Sequence, residues 1–272
     1  MVAIWAGLAF GLSILVVPVS LPTPARSAAL PSAIETGTTS FVLRVPVLYY
    51  HRISCPPPDA QLPSMYTCPA RLDEQLRYLR NRGWRAITVD DLADLMAERR
   101  CPGRKRFVIS FDDGYHDAYT QAAPILEALG MRGSFFVSPG RADDERFMTY
   151  GQMRDLIARG HAIGNHSLSH LNLNLQPADV LYEQVEYAQQ LLESELGSRP
   201  RTFAYPYGNF NNAVVQRVRD SGFELAFTVR RGARESTDKP LLSKRIRPSP
   251  RESGSEVLAR IKPYADGCPL TS

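Results

Sequence analysis

The sequence predicts an α/β fold with parallel strands, a β/α barrel that is complete or partly open. Three observations predict it. Short apolar runs alternate with segments of helical spacing about seven times along the chain, the pattern of strands joined by helical crossovers. The 272 residues, 44% of them hydrophobic, suit one domain of roughly 200–250 residues. The residues best equipped for chemistry, His51, Asp112, Asp113, His166 and Tyr205 to Tyr207, all follow directly on predicted strands. In a β/α barrel the C-terminal strand ends form one functional face. An open doubly wound sheet is the alternative.

The elements run as follows. Arg44 to Tyr50 reads as a buried strand ending at His51, and the five prolines and two cysteines of 54–69 make a loop. Leu72, Leu76 and Leu79 share one helical face, and Gly83 ends that helix. Arg85 to Val89 is a short strand, and Asp90 caps a helix running to about Arg99. Phe107 to Phe111 is an apolar strand stopping at Asp112, followed by a helix over 117–129. Strands follow at 133–137, 161–164, 202–205 and 225–229. Helices fall between them at 150–159, 177–196 and 211–220, and Glu256 to Ile261 is the last helix. Arg245-Ile246-Arg247 lies on a final strand.

Val2 to Val19 is almost wholly apolar, and small residues follow at 25–29. Residues 1–29 therefore read as a cleaved secretory signal or a retained membrane anchor. Residues 30–43 read as a linker, and 44–268 as the domain. Either version of the N-terminus places the protein outside the cytoplasm, secreted or in the cell envelope. The four cysteines form no C-x-x-C pair, which disfavours a zinc knuckle. An oxidising compartment favours disulfides. The preferred pairing is Cys55–Cys68 across the Pro-rich loop and Cys101–Cys268 from the domain's start to its end. The net charge of +4 carries no basic run interleaved with aromatics, so nucleic acid is not expected as a partner. No Gly-rich phosphate loop points to a nucleotide cofactor. A polysaccharide is the expected partner, and the chain is expected to be a monomer.

Two histidines four residues apart, His166 and His170, lie on one face if their segment turns like a helix. With one carboxylate they make a set that holds a divalent metal and leaves a coordination position open. A second carboxylate beside the first can serve as base, which is a hydrolytic design. Asp112-Asp113-Gly114 alone could be a turn; the His pair is what gives it a chemical reading. His161 reads as structural and His116 as solvated or at the cleft rim.

These residues resemble the polysaccharide deacetylase family, which includes carbohydrate esterase family 4. Phe111-Asp112-Asp113-Gly114 is similar to its paired-aspartate motif, and His166-Ser167-Leu168-Ser169-His170 to its H-[ST]-x-x-H motif. Phe203 to Gly208 resembles its third motif, and Val47 to Ile53 points to the poly-N-acetylglucosamine deacetylase branch. The resemblance implies a distorted (β/α)7 barrel. It implies Asp113, His166 and His170 as metal ligands and Asp112 as general base, with Tyr205, Pro206 and Tyr207 at the substrate. The Tyr207 backbone N–H would support the oxyanion. The implied reaction removes N-acetyl groups from an N-acetylglucosamine polymer. Zn²⁺ is the expected cofactor, with Co²⁺, Ni²⁺ and Fe²⁺ also suited to these ligands.

The chain departs from the family pattern in three places. All five histidines lie at or before His170, so the family's late histidine acid is missing. Ala204 stands where the family's third motif carries an Arg that orients the base. No Trp-containing fourth motif is evident, and Trp84 is the only Trp beyond the export segment. His51, at the end of the first strand, is the candidate acid or substrate clamp. An O-acetyl esterase and a degenerate glycan-binding protein are the competing readings.

Overall fold

The computed structural model describes residues 40–268. The export segment expected at 1–29 lies outside the described residues, as does all of the linker before Ser40. The elements, in chain order, begin with β1 (Val42–Leu43), β2 (Val47–Tyr50), α1 (Pro69–Asn81), β3 (Arg85–Ile87), α2 (Val89–Ala97) and β4 (Arg106–Phe111). Then come α3 (Ala123–Ala128), β5 (Ser134–Val137), α4 (Tyr150–Ala158), β6 (Ala162–Asn165), α5 (Ala178–Leu181) and α6 (Ala188–Leu196). The remainder are β7 (Thr202–Ala204), α7 (Asn212–Asp220), β8 (Leu225–Arg231), β9 (Glu235–Ser236), β10 (Ser243–Arg245) and α8 (Gly254–Ile261). Among the described residues no helix is long and apolar enough to cross a membrane.

The main sheet runs β10-β8-β7-β6-β5-β4-β2, and every pairing in it is parallel. Its two ends meet. The Tyr49 N–H donates to the Ile246 carbonyl at 3.1 Å, and the Ile246 N–H donates to Val47 at 2.8 Å. The result is a distorted (β/α)7 barrel, as expected. One element differs from expectation: β3 pairs only with the start of β4, off the ring. The seventh place belongs to β10. β3 is short and only partly covered, so it closes an edge and does not span the wall.

Alternation along the strands sorts the side chains into two layers. Val47, Val108, Phe136, Ala204 and Phe227 pack together in one core cluster with residues of α2. The intervening Leu48, Ile109, Phe111, Phe135 and Val137 pack outward under α1, α3 and α8. Gly164 on β6 is required here, because a Cβ would lie 2.4 Å from the Phe136 ring. One step further along the inner face come Tyr49, Ser110 and Arg245, and then Asp112. The barrel is therefore filled by apolar side chains below and polar ones above.

Helix starts follow local capping chemistry. Thr88 with Asp91, Thr149 with Gln152, and Ser253 with Glu256 form capping boxes on α2, α4 and α8. Asp90 is thus not the cap expected of it; Thr88 accepts the exposed N–H, and Asp90 lies inside the first turn. The long helix expected from Pro177 to Leu196 is interrupted by a π-helical turn over Tyr182–Tyr187. Such turns are rare and often serve a site. This one delivers the buried Gln184 to the histidine loop.

Both favoured disulfides are present, Cys55–Cys68 and Cys101–Cys268. The second joins residues 167 positions apart.

Candidate metal and active site

Asp113, His166 and His170 converge, with one ligand atom of each within 4.8 Å of the others. Asp113 Oδ1 stands 3.3 Å from His166 Nε2 and 3.0 Å from His170 Nε2. Burial would raise the Asp113 carboxyl, but the two histidines beside it hold it well below the ordinary carboxylate range. Asp113 Oδ1 is buried without a well-formed hydrogen bond. An orphaned carboxylate oxygen facing two imidazole nitrogens is the donor set of a divalent cation, so these residues fit the implied metal.

The histidines do not share a helix, as the four-residue spacing suggested. They sit on a loop after β6 that two left-handed residues fold back, Ser167 at φ 64° and His170 at φ 61°. The polar residues of the motif build that loop. Asn165 Oδ1 accepts from the Ser167 N–H at 2.8 Å, and Ser167 Oγ accepts from the His170 N–H at 3.0 Å. Gln184 takes the N–H groups of Leu168 and Ser169. His166 Nδ1 lies 2.7 Å from the Ala204 carbonyl, which places the proton on Nδ1 and leaves Nε2 free to ligate.

Backbone strain gathers here. Six described non-glycine residues have positive φ, and Asp113, Ser167, His170 and Tyr207 are four of them. Left-handed backbone is costly for such residues and concentrates at functional sites. Asp113, at φ 73°, turns its carboxylate toward the histidines while Asp112 points the other way, into the barrel.

Asp112 meets a residue that sequence reasoning did not identify. Arg245, 1% exposed, donates from both Nη1 and Nη2 to the two Asp112 oxygens, each at 2.7 Å. Its Nε donates to the Thr228 carbonyl at 3.0 Å, and the guanidinium lies 4.3 Å from the centre of the Tyr49 ring. Burial would raise the Asp112 carboxyl, but the Arg245 charge and hydrogen bonds, together with the charges of His166 and His51, offset it and leave it below the ordinary value. The orienting Arg expected in place of Ala204 is therefore supplied by β10. The available signal was position: Arg245 stands at the end of the last strand, where the other chemical residues stand on theirs.

His51 is half-buried at the end of β2, its ring against Tyr49. Burial pushes its pKa down to about 4, although the charges of Asp112 and Asp113 oppose this. Tyr207 is 59% exposed, with its ring centre 4.6 Å from that of His170. Tyr205 and Pro206, expected at the substrate, are instead buried. The Tyr205 hydroxyl donates to the Leu241 carbonyl at 3.0 Å and its ring packs on Phe203, because strand alternation turns it into the wall. His161 is buried away from this face, where Nδ1 accepts from the Gly133 N–H and Nε2 lies 3.0 Å from Glu127. Trp84 packs edge-on against Phe107 in the core, so no Trp replaces the missing fourth motif.

Comparison with known proteins agrees with this geometry. Residues 99–226 match the polysaccharide deacetylase family model. The chain is 26% identical to YxkH of Bacillus subtilis (strain 168), over 80% of this chain and 76% of that one. It is 23% identical to the poly-beta-1,6-N-acetyl-D-glucosamine N-deacetylase of Escherichia coli (strain K12), over 67% of this chain but only 33% of that longer protein. The solved structure of the Streptococcus pyogenes deacetylase PplD in complex with acetate superposes with a TM-score of 0.75 at 24% identity, covering 80% of this chain and 97% of that one. A parallel barrel, the paired aspartates and the family match agree: residues 99–226 of this chain carry a polysaccharide deacetylase domain.

Proposed function

We propose that this protein is an exported, metal-dependent hydrolase that removes N-acetyl groups from an N-acetylglucosamine-containing polysaccharide. One observation carries the reading: a three-ligand cation site lies beside a buried carboxylate that Arg245 holds ionised and oriented. Asp113, His166 and His170 would hold the metal. A divalent cation there supplies Lewis-acid activation of water and charge for the developing oxyanion. Asp112, clamped through both oxygens, takes the proton of the attacking water. The Tyr207 backbone N–H, set by its left-handed turn, donates to the oxyanion. The exposed Tyr207 ring offers a face to the sugar. His51 is the candidate proton donor to the leaving amine, or a clamp on the substrate. A neutral imidazole suits the clamp directly and becomes an acid only once the reaction delivers it a proton. Two disulfides fit an oxidising compartment outside the cytoplasm.

The test is acetate release from N-acetylglucosamine oligomers by residues 41–272, as isolated, after chelation and with Zn²⁺ or Co²⁺ restored. Metal-dependent release that Asp112→Asn abolishes is the expected result. Release from acetylated xylan but not from these oligomers would move the assignment to an O-acetyl esterase. For His51→Ala, retained metal binding with lost turnover is expected; unchanged turnover would remove His51 from the mechanism.

A further inference from the structure

Two loops border the site on the side where the barrel closes. One leaves β2 and runs from His51 to Cys68; the other leaves β10 and runs from Ile246 to Ser253. Between them lies a cleft of about 460 Å³ whose lining includes Pro56, Pro63, Tyr66, Pro250 and Arg251. That volume is in the range of small-molecule sites, about 300–1,000 Å³. The cleft is preformed. The Cys55–Cys68 bond closes the first loop, and Arg247 donates across to the Ser64 carbonyl at 2.6 Å. Arg260 holds the second loop through Glu252 and the Arg247 carbonyl.

Contacts connect the cleft to the metal site. The Arg52 guanidinium is sandwiched between two rings, 5.3 Å from the centre of Tyr66 and 4.4 Å from that of Tyr115. Tyr115 in turn neighbours Asp113. Tyr66 in the cleft and the Asp113 ligand are thus two packed side chains apart.

The charges at the rim are unequally satisfied. Glu74 is taken by Arg71 and the Gly254 N–H, Glu252 by Arg260, and Asp117 by Arg52, Ser54 and the Ile53 N–H. Arg251 is exposed. Among the described residues its guanidinium has no hydrogen-bond or ion-pair partner.

We infer that this cleft is a second glycan subsite that binds the sugars flanking the one being deacetylated, and that Arg251 selects a flanking sugar bearing a carboxylate. Proline and tyrosine faces suit the apolar faces of pyranose rings, and the unpaired guanidinium suits a carboxylate. The same charge disfavours the ammonium of a sugar already deacetylated. The inference rests on the deacetylase reading and narrows it to an acidic, acetylated glycan.

The test compares three probes on the full metal-loaded protein: an N-acetylglucosamine disaccharide, its neutral tetramer, and a tetrasaccharide alternating N-acetylglucosamine with N-acetylmuramic acid. Acetate release is measured beside binding by calorimetry. Wild type is expected to favour the acidic tetrasaccharide. Arg251→Ala is expected to weaken its binding and kcat/KM by about fivefold, and Arg251→Glu by roughly tenfold more. Both losses should shrink in high salt, and the disaccharide should be unaffected. Equal values for the acidic and neutral tetramers, or no response to Arg251→Glu, would overturn the selection. If no probe releases acetate, the deacetylase reading fails by itself. Calorimetric binding of the acidic probe that Arg251→Glu weakens would then still support the subsite, and its absence would end it.

Discussion

Replacing Arg245 by Met removes two 2.7 Å hydrogen bonds and leaves Asp112, itself 2% exposed, as a buried carboxylate without its paired counter-charge. Breaking a buried pair from one side costs about 3–5 kcal/mol, most of it the uncompensated charge. In a domain of this size each kcal/mol moves Tm by about 2–4 °C, so a drop of roughly 10 °C is expected. The Met side chain approximates the Arg stem, so lost packing contributes little. Adding Asp112→Asn removes the stranded charge. The double variant should therefore be more stable than Arg245→Met alone, with a coupling of about 2 kcal/mol or more in a double-mutant cycle. The assays are urea unfolding of all four proteins and their kcat on an N-acetylated oligomer. Arg245→Met should lose at least about a hundredfold in kcat, because the base is no longer oriented. A fall below 1 kcal/mol, additive with Asp112→Asn, would refute the argument that this pair is a buried, coupled unit.

Three further outcomes follow from other parts of the fold. Glu235, wholly buried between β1 and β10, has neither carboxylate oxygen in a well-formed hydrogen bond, and burial pushes its pKa up from 4.5 to about 8. Between those values the native protein holds a proton that the unfolded chain has released, so stability falls as pH rises, by at most about 1.4 kcal/mol per pH unit. Thermal unfolding of Glu235→Gln should match wild type near pH 5 and exceed it by several °C at pH 8.5; an equal difference at both values would contradict this. At Gly208, φ is +70° and a Cβ would sit 2.3 Å from Val229. Gly208→Ala should cost about 2–3 kcal/mol and disturb the Tyr207 turn, lowering kcat as well as Tm; unchanged kcat would separate that turn from catalysis. Ser167→Ala removes the acceptor for the His170 N–H, and calorimetric Zn²⁺ affinity should fall about 10- to 100-fold with the fold intact. An unchanged affinity would show that the loop holds His170 without it.

Much of the site was legible because it is local. Asp112 and Asp113 end an apolar strand, and His166 and His170 fall within one short loop, so a few adjacent residues carry the ligand set. The barrel was legible from alternation, since each strand and helix announces its own period. Mistakes arose where a side chain's direction depends on neighbours. Tyr205 reads like a cleft aromatic, yet strand alternation turns it into the wall. The His pair reads like a helical face, yet left-handed Ser167 and His170 bring it together.

Sequence alone determined most of the order of strands and helices and the grouping of the metal-type ligand set, and it carried the resemblance to polysaccharide deacetylases. The closing strand and what it brings were decided only by tertiary structure. Ring closure sets β10 beside β2 and carries Arg245 to Asp112, 133 positions earlier in the chain. A bidentate pair of that separation leaves no local pattern: Arg245 is an ordinary charged residue on a short strand until the barrel closes and removes it from water. The same closure lays the 51–68 loop against the 246–253 loop and forms the cleft between them. Periodicity and spacing report the near neighbours of a residue, whereas burial, and with it the charge state of a carboxylate, depends on every element packed around it.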